Sequence, residues 1–222
     1  VRLDSTASVH GTLVVPVGST EQHGPHLPFT VDTAIAAALA ERLAAEVSDV
    51  VIAPPVAYGA SGEHAGFPGT LSIGVEATRV VLVELIRSAD AFDGVVLVSG
   101  HGGNAVPVRA ACALAAREGR RVCVWSPTGP ADDSHAGWTE TSVMLALRPD
   151  AVRMDLAAPG VTTPLPELMD RLRKDGVAGV SKSGVLGDPT KASAETGERI
   201  LRQWTADLVR TVTAWRATDR RG

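Results

Sequence analysis

Short, unbroken apolar runs alternate with longer helical patterns along this 222-residue chain, and that alternation constrains its fold more than any other feature. TLVVPV at 12–17, VVIA at 50–53, GVVLVS at 94–99 and RVCVW at 121–125 are apolar at nearly every position. Such runs suit strands covered on both faces, as in a parallel sheet. Between them lie helical stretches at 32–47, where Ile35, Leu39 and Leu43 recur every four residues, at 75–92 and at 105–119. Strand and helix in this rhythm predict a single-domain, three-layer α/β/α architecture with a mostly parallel sheet. Pro16 lacks an N–H and predicts a weakened place in the sheet for the first strand. From residue 157 turn formers dominate, so 157–193 reads as loops around one short helix, a cover over the domain and not a second one. A terminal helix is expected at 194–215.

Composition narrows the function. The chain is 45% hydrophobic with a net charge of −4, enough for one substantial core. Lys and Arg are scattered, with no basic stripe interleaved with aromatics, which argues against a nucleic-acid partner. The apolar runs are far short of the roughly 18–20 residues that span a bilayer, which argues against a membrane partner. The first residues lack the basic and apolar regions of a signal peptide, so a cytoplasmic location is expected; Val1 in place of Met leaves the native start open. Cys112 and Cys123 read as buried, reduced thiols.

The chemistry-bearing residues gather in loops after strands. GSTEQHGPHLPFTVD at 18–32 packs Glu21, His23, His26 and Asp32 among glycines and prolines that neither a helix interior nor a central strand tolerates. Five of six histidines (His23, His26, His64, His101, His135) sit in Gly- or Pro-rich segments. Loops at the carboxyl ends of neighbouring parallel strands converge, however distant in sequence. Glu21 and His23 point to one side of an extended segment. With Asp32 and His101 they form a mixed nitrogen and oxygen set that suits zinc, iron or manganese better than calcium, and Asp32 could bridge two metals.

Plainer roles stand beside these. Asp32 also reads as a helix N-cap, and Glu140, in HAGWTETSVMLAL, as an acid favoured by a helix N-terminus. His26 and His64 serve equally well as partners of loop backbone. GHGGN at 100–104 could be an anion nest, though the loop has no Lys or Arg. Asp132 and Asp133 read as solvated loop acids.

GSTEQHGPHLP, YGASGEHAGFPGTLSIG, SGHGGN and HAGWTETSVMLAL, in that order, resemble the motifs of the creatininase family of metal-dependent amidohydrolases. TPLPELM and GVAGVSKSGVLGDPTKA extend the likeness towards the mycofactocin-system branch of that family. The resemblance implies a creatininase-like fold with two divalent ions per chain, held by Glu21, His23, Asp32 and His101. The family's further glutamate falls at Gly103, and the resemblance implies that Glu140 replaces it. It further implies His135 as proton carrier, Ser61, Glu63, His64 and Trp138 as substrate-pocket walls, and Gly102, Gly103 and Asn104 as weak candidate oxyanion donors. Its implied substrate is a modified ribosomal precursor peptide, cleaved near its C-terminus, and its implied assembly is a hexamer-like homo-oligomer. Two other expectations compete: a hydrolase of a small cyclic amide or formamide, and a non-catalytic, metal-stabilised binding subunit.

Overall fold

The computed structural model describes residues 1–218, the Ser8 side chain excepted. Strands β1 (Thr12–Val17), β2 (Val50–Ile52), β3 (Gly94–Ser99) and β4 (Val122–Trp125) form a parallel sheet in the order β2-β1-β3-β4. β1 and β3 pair along their whole length, from Thr12 opposite Gly94 to Val17 opposite Ser99. Helices α1 (Val31–Glu46), α2 (Gly74–Ser88), α3 (Ala105–Arg117), α4 (Trp138–Leu147), α5 (Leu165–Asp175) and α6 (Ala194–Ala217) complete the described fold.

Two cores separate by strand parity. Leu13, Val15, Val17, Val95 and Leu97 face α2 and α3 through Leu82, Val83, Ile86, Val108 and Ala111. Val14, Val96 and Val98 face the other way, against Leu39 and Leu43 of α1, Met144 of α4 and Leu201 and Leu208 of α6. Successive side chains of a strand point to opposite faces, so an all-apolar run fills both layers at once. The architecture is the expected three-layer α/β/α domain.

Pro16 corrects one expectation, because β1 lies at the centre of the sheet. Ala53 N donates to Val14 O at 2.9 Å and Val56 N to Pro16 O at 2.9 Å, so these residues turn their polar groups towards the β2 side. There β2 has ended at Ile52 and the chain runs on through Pro54 and Pro55, so the missing N–H interrupts no ladder. Cys112 is half-buried and Cys123 buried, both as free thiols.

Segment 157–193 carries α5 and several hydrogen-bonded turns. Leu186 pairs with His135 in an isolated antiparallel bridge, with Leu186 N donating to His135 O at 2.8 Å. Val161 N donates to Val185 O at 3.1 Å, tying the start of the segment to its end. No helix among the described residues is long and apolar enough to cross a membrane.

Candidate metal centre

The sheet order sets the place of the site. β1 continues to β2 on one side and β3 to β4 on the other, so a crevice opens between the carboxyl ends of β1 and β3. The β1 loop supplies Glu21 and His23, the first turn of α1 supplies Asp32, and the β3 loop supplies His101. Gly100 lets these approach: a Cβ there would lie 2.4 Å from the Asp32 carbonyl oxygen. Thr30, not Asp32, is the N-cap of α1, and it makes no side-chain cap bond. The Asp32 carboxylate is therefore free to enter the crevice, where Ser19 Oγ donates to its Oδ2.

Glu21, His23 and Asp32 are almost completely buried. Asp32 Oδ1 lies 3.2 Å from His23 Nε2, and its Oδ2 lies 3.4 Å from His101 Nδ1. His101 turns its other nitrogen to Glu21 Oε2 at 3.1 Å. Glu140 Oε2 accepts from Ala136 N at 2.6 Å and lies 3.9 Å from His23 Nε2. Among the described residues, potential ligand atoms come within 4.8 Å of one another in three sets: Glu21, His23 and Asp32; His23, His135 and Glu140; and Glu21, His64 and His135. His101 faces a different carboxylate with each of its nitrogens, and it flanks these sets without joining one.

Both Glu21 carboxylate oxygens are buried without a hydrogen-bond partner. The nearest imidazole nitrogens, of His101 at 3.1 Å and His64 at 3.4 Å, are not aligned to donate to them. A carboxylate stripped of water and of donors is strongly unfavourable unless a cation balances it. Together with the surrounding imidazoles, that orphaned group fits a divalent metal.

Electrostatics divide the histidines into two kinds. Burial opposes charge on His23, but Asp32, aided by Glu140 and Glu21, outweighs it and pushes the imidazole up to about 10. Burial likewise opposes charge on His101, and Glu21 and Asp32 outweigh it, raising it to about 9. For Asp32 burial works against ionisation, yet His23 and His101 hold the carboxyl well below its ordinary range. His64 goes the other way, lowered to about 4 by burial despite Glu21. His135 is driven well below its ordinary value by burial and by the charge of His23 and His64. Burial raises Glu140 to about 7 and also raises Glu63.

The remaining candidates fall as follows. Ser61 Oγ is 3.5 Å from His101 Nε2, and Glu63 Oε1 lies at the same separation. His64 is buried inside the cluster, not on a pocket wall. Trp138 is half-buried and packs against the core beneath α4. Asn104 is held by the scaffold. Its Nδ2 donates to Gly18 O at 2.9 Å, its Oδ1 accepts from Ala60 N at 2.9 Å and its backbone N donates to His101 O at 3.2 Å. These bonds staple three loops and leave one Nδ2 hydrogen unassigned. Asp133 is corrected: it accepts from Trp138 N and Thr139 N, each at 2.7 Å, and caps α4. His26 is buried with Nε2 2.9 Å from Thr141 Oγ1, a structural tie. A 440 Å³ cavity borders Glu63, and its opposite wall brings Arg173 and Lys174 from α5.

A parallel α/β sheet with a buried carboxylate–imidazole cluster at its switch point is the arrangement of a metal-dependent hydrolase. The family model Creatininase, described as creatinine amidohydrolase, matches residues 3–212, and the chain belongs to that family of hydrolases acting on C–N bonds. It is 52% identical over 217 residues to the mycofactocin precursor peptide peptidase of Mycolicibacterium smegmatis, covering 95% of this chain and 87% of that one. Identity to the creatinine amidohydrolase of Pseudomonas putida is 32% over 236 residues, covering 89% and 88%. A crystal structure of creatinine amidohydrolase superposes with a TM-score of 0.77 at 28% identity, covering 90% of this chain and 88% of that chain. Creatininase structures that match also include a manganese form and a Zn-Zn form.

Proposed function

We propose that the chain is a metal-dependent peptidase of the mycofactocin precursor peptide. It would cleave one bond near the modified C-terminus and release the cross-linked, decarboxylated Val-Tyr-derived unit. The observation that carries this reading is the orphaned Glu21 carboxylate, ringed by imidazoles, beside Gln22, whose amide bonds Gly184 O of the 181–187 segment. Residues 157–193 act as the cover of a single domain spanning 1–222. Glu21, His23, Asp32, His101 and Glu140 would hold two divalent ions, zinc, iron or manganese. When bound, such ions acidify a water towards neutral pH and polarise an amide carbonyl.

The chain's own residues do the rest. Ser19 Oγ donates to Asp32 Oδ2 and fixes the direction of that carboxylate. His135 Nδ1 takes the proton of the attacking water and returns it to the leaving nitrogen. The backbone N–H groups of Gly102 and Gly103 and the unassigned Nδ2 hydrogen of Asn104 are the candidate donors to the carbonyl oxygen. The 440 Å³ cavity beside Glu63 would take a peptide end, and Ser61 and Glu63, each 3.5 Å from His101 Nε2, are assigned to the substrate side of the cluster. A homo-oligomer is supported by the exposed apolar Val80, Val81 and Leu85 on the outer face of α2.

The test compares modified and unmodified precursor peptide at equal metal loading, with products identified by mass. Cleavage of the modified peptide alone is expected. Equal cleavage of both would show that the cross-link is not what is recognised, and opening of creatinine with neither peptide cut would favour a small cyclic amide. His135→Ala should keep its metals and lose roughly 10²–10⁴-fold in turnover; loss of metal instead would make His135 a ligand.

A further inference from the structure

Gln22, between two of the candidate ligands, is 5% exposed, and its side-chain amide is oriented without ambiguity. Gly24 N can only donate, and it lies 2.9 Å from Gln22 Oε1, which identifies that atom as the acceptor. Gly184 O can only accept, and it lies 3.1 Å from Gln22 Nε2, which identifies the other end as the donor. The second Nε2 hydrogen faces His64 Nδ1 at 2.9 Å. A neutral imidazole that accepts at Nδ1 carries its proton on Nε2. On His64 that nitrogen lies 3.4 Å from Glu21 Oε1.

His135 is fixed by the same residue through a different group. Its Nε2 lies 2.8 Å from the Gln22 backbone carbonyl oxygen, which can only accept, so Nε2 carries the proton there as well. On His135, however, Nε2 is the nitrogen facing away from the carboxylates, and Nδ1 faces Glu21 Oε1 at 3.9 Å. The Gln22 Nε2 and His135 Nε2 atoms, 3.1 Å apart, are then both donors and share no bond.

We infer that Gln22 is a positioning residue that presents these two histidines to the cluster in opposite senses, His64 with an N–H and His135 with a lone pair. The inference rests on the proposed metal centre for its catalytic consequence, not for the proton positions themselves. Two consequences follow. His135 can take a proton or bind a metal at Nδ1, which the proposed mechanism needs. His64 can do neither, so the third set of ligand atoms (Glu21, His64, His135) does not become a metal site while Gln22 is in place. His64 instead keeps an N–H, and not a lone pair, on the nitrogen that lies 3.4 Å from Glu21 Oε1. The 181–187 segment takes part directly, because Gly184 holds the amide that sets His64. A Cβ at Gly184, where φ is +80°, would lie 1.9 Å from Gln22 Oε1 and expel that amide.

The experiment is ¹⁵N spectroscopy of the full chain labelled at histidine, metal-free and zinc-loaded, with signals assigned from single histidine variants. Protonated and bare ring nitrogens resonate far apart. In the metal-free wild type both His64 and His135 are expected to carry the proton on Nε2, with Nδ1 bare. Gln22→Glu places an acceptor opposite His64 Nδ1 and should move the His64 proton to Nδ1. His135, held by backbone, should keep its own. Gly184→Ala serves as a second perturbation should Gln22→Glu fold poorly, and it should convert His64 to a mixture of both forms. A wild-type His64 protonated on Nδ1, or a His64 spectrum unchanged in the folded variants, overturns the inference. These spectra require no turnover, so failure of the peptidase assignment would leave them readable.

Discussion

Gly103 gives the sharpest test of the site geometry. A Cβ at this position would lie 2.3 Å from His101 Nε2, 2.3 Å from Glu63 Oε1 and 2.4 Å from Ala60 O, each about 1 Å short of ordinary contact. The three neighbours do not yield equally. Glu63 is the flexible end of a partly exposed side chain and can swing away. Ala60 is pinned, since its N–H donates to Asn104 Oδ1 and Asn104 is itself tied to Gly18. The strain of Gly103→Ala therefore falls on His101. Overpacking of this kind costs about 1–3 kcal/mol, which for a chain of this size lowers Tm by roughly 2–12 °C. A 1 Å displacement of His101 is also several times the roughly 0.2 Å tolerance of a metal–ligand distance. Gly103→Ala should fold, melt lower by calorimetry and bind its metals at least tenfold more weakly in a competition titration with a chelator. Adding Glu63→Ala should restore little, because it relieves only one of the three contacts. Wild-type Tm and metal affinity in Gly103→Ala would refute the packing argument and, with it, the placement of His101 in the centre.

Two further outcomes follow from the same geometry. Glu140→Gln should lower metal content by elemental analysis from about two equivalents towards one while leaving the fold intact; two tightly held equivalents would reduce Glu140 to a helix-end acid. In the metal-free protein, His23 and His101 are raised to about 10 and about 9, so their contribution is fully present below the ordinary imidazole value of 6.5. It is lost as pH rises through those values, and Glu140, raised to about 7, adds to the loss between its ordinary 4.5 and 7. Tm with chelator present should thus fall between pH 6.5 and 10, and more steeply than for the metal-loaded protein, whose histidines act as neutral ligands; equal slopes would count against the cluster's charge state.

Legibility in the sequence followed the range of the interactions. β1 and β3 were readable to the residue, because a strand buried on both faces has no polar position to blur its limits. The helix expected at 75–92 ends at Ser88, since Phe92 keeps its apolar contact through a turn, with its N donating to Ala89 O, and not through a further helical turn. Glu21, His23 and Asp32 lie within twelve residues, and the rule for loops after parallel strands brought in His101. The places of His64 and Gln22 had no such signal. They depend on contacts spanning 42, 113 and 162 residues and on the orientation of one amide. Asp133 escaped for a related reason. It caps α4 from five residues before Trp138, across Ala136 in a left-handed conformation at φ 52°, where a local capping pattern does not reach.

The absence of a carboxylate at position 103 and its presence at position 140 are two sides of one packing solution. The space above Gly103 is filled by His101, by Glu63 and by a carbonyl that Asn104 holds in place, so no side chain fits at that position. A carboxylate for His23 has to arrive from another element. Glu140 does so from the first turn of α4 at 3.9 Å, while the same oxygen accepts the Ala136 N–H at 2.6 Å. Its place at the helix end and its proposed place at the metal centre are therefore not alternatives. The backbone bond fixes the direction of the side chain, and a fixed carboxylate loses less conformational freedom when a cation binds. The helix-end preference that made Glu140 look ordinary in the sequence is what aims it into the site.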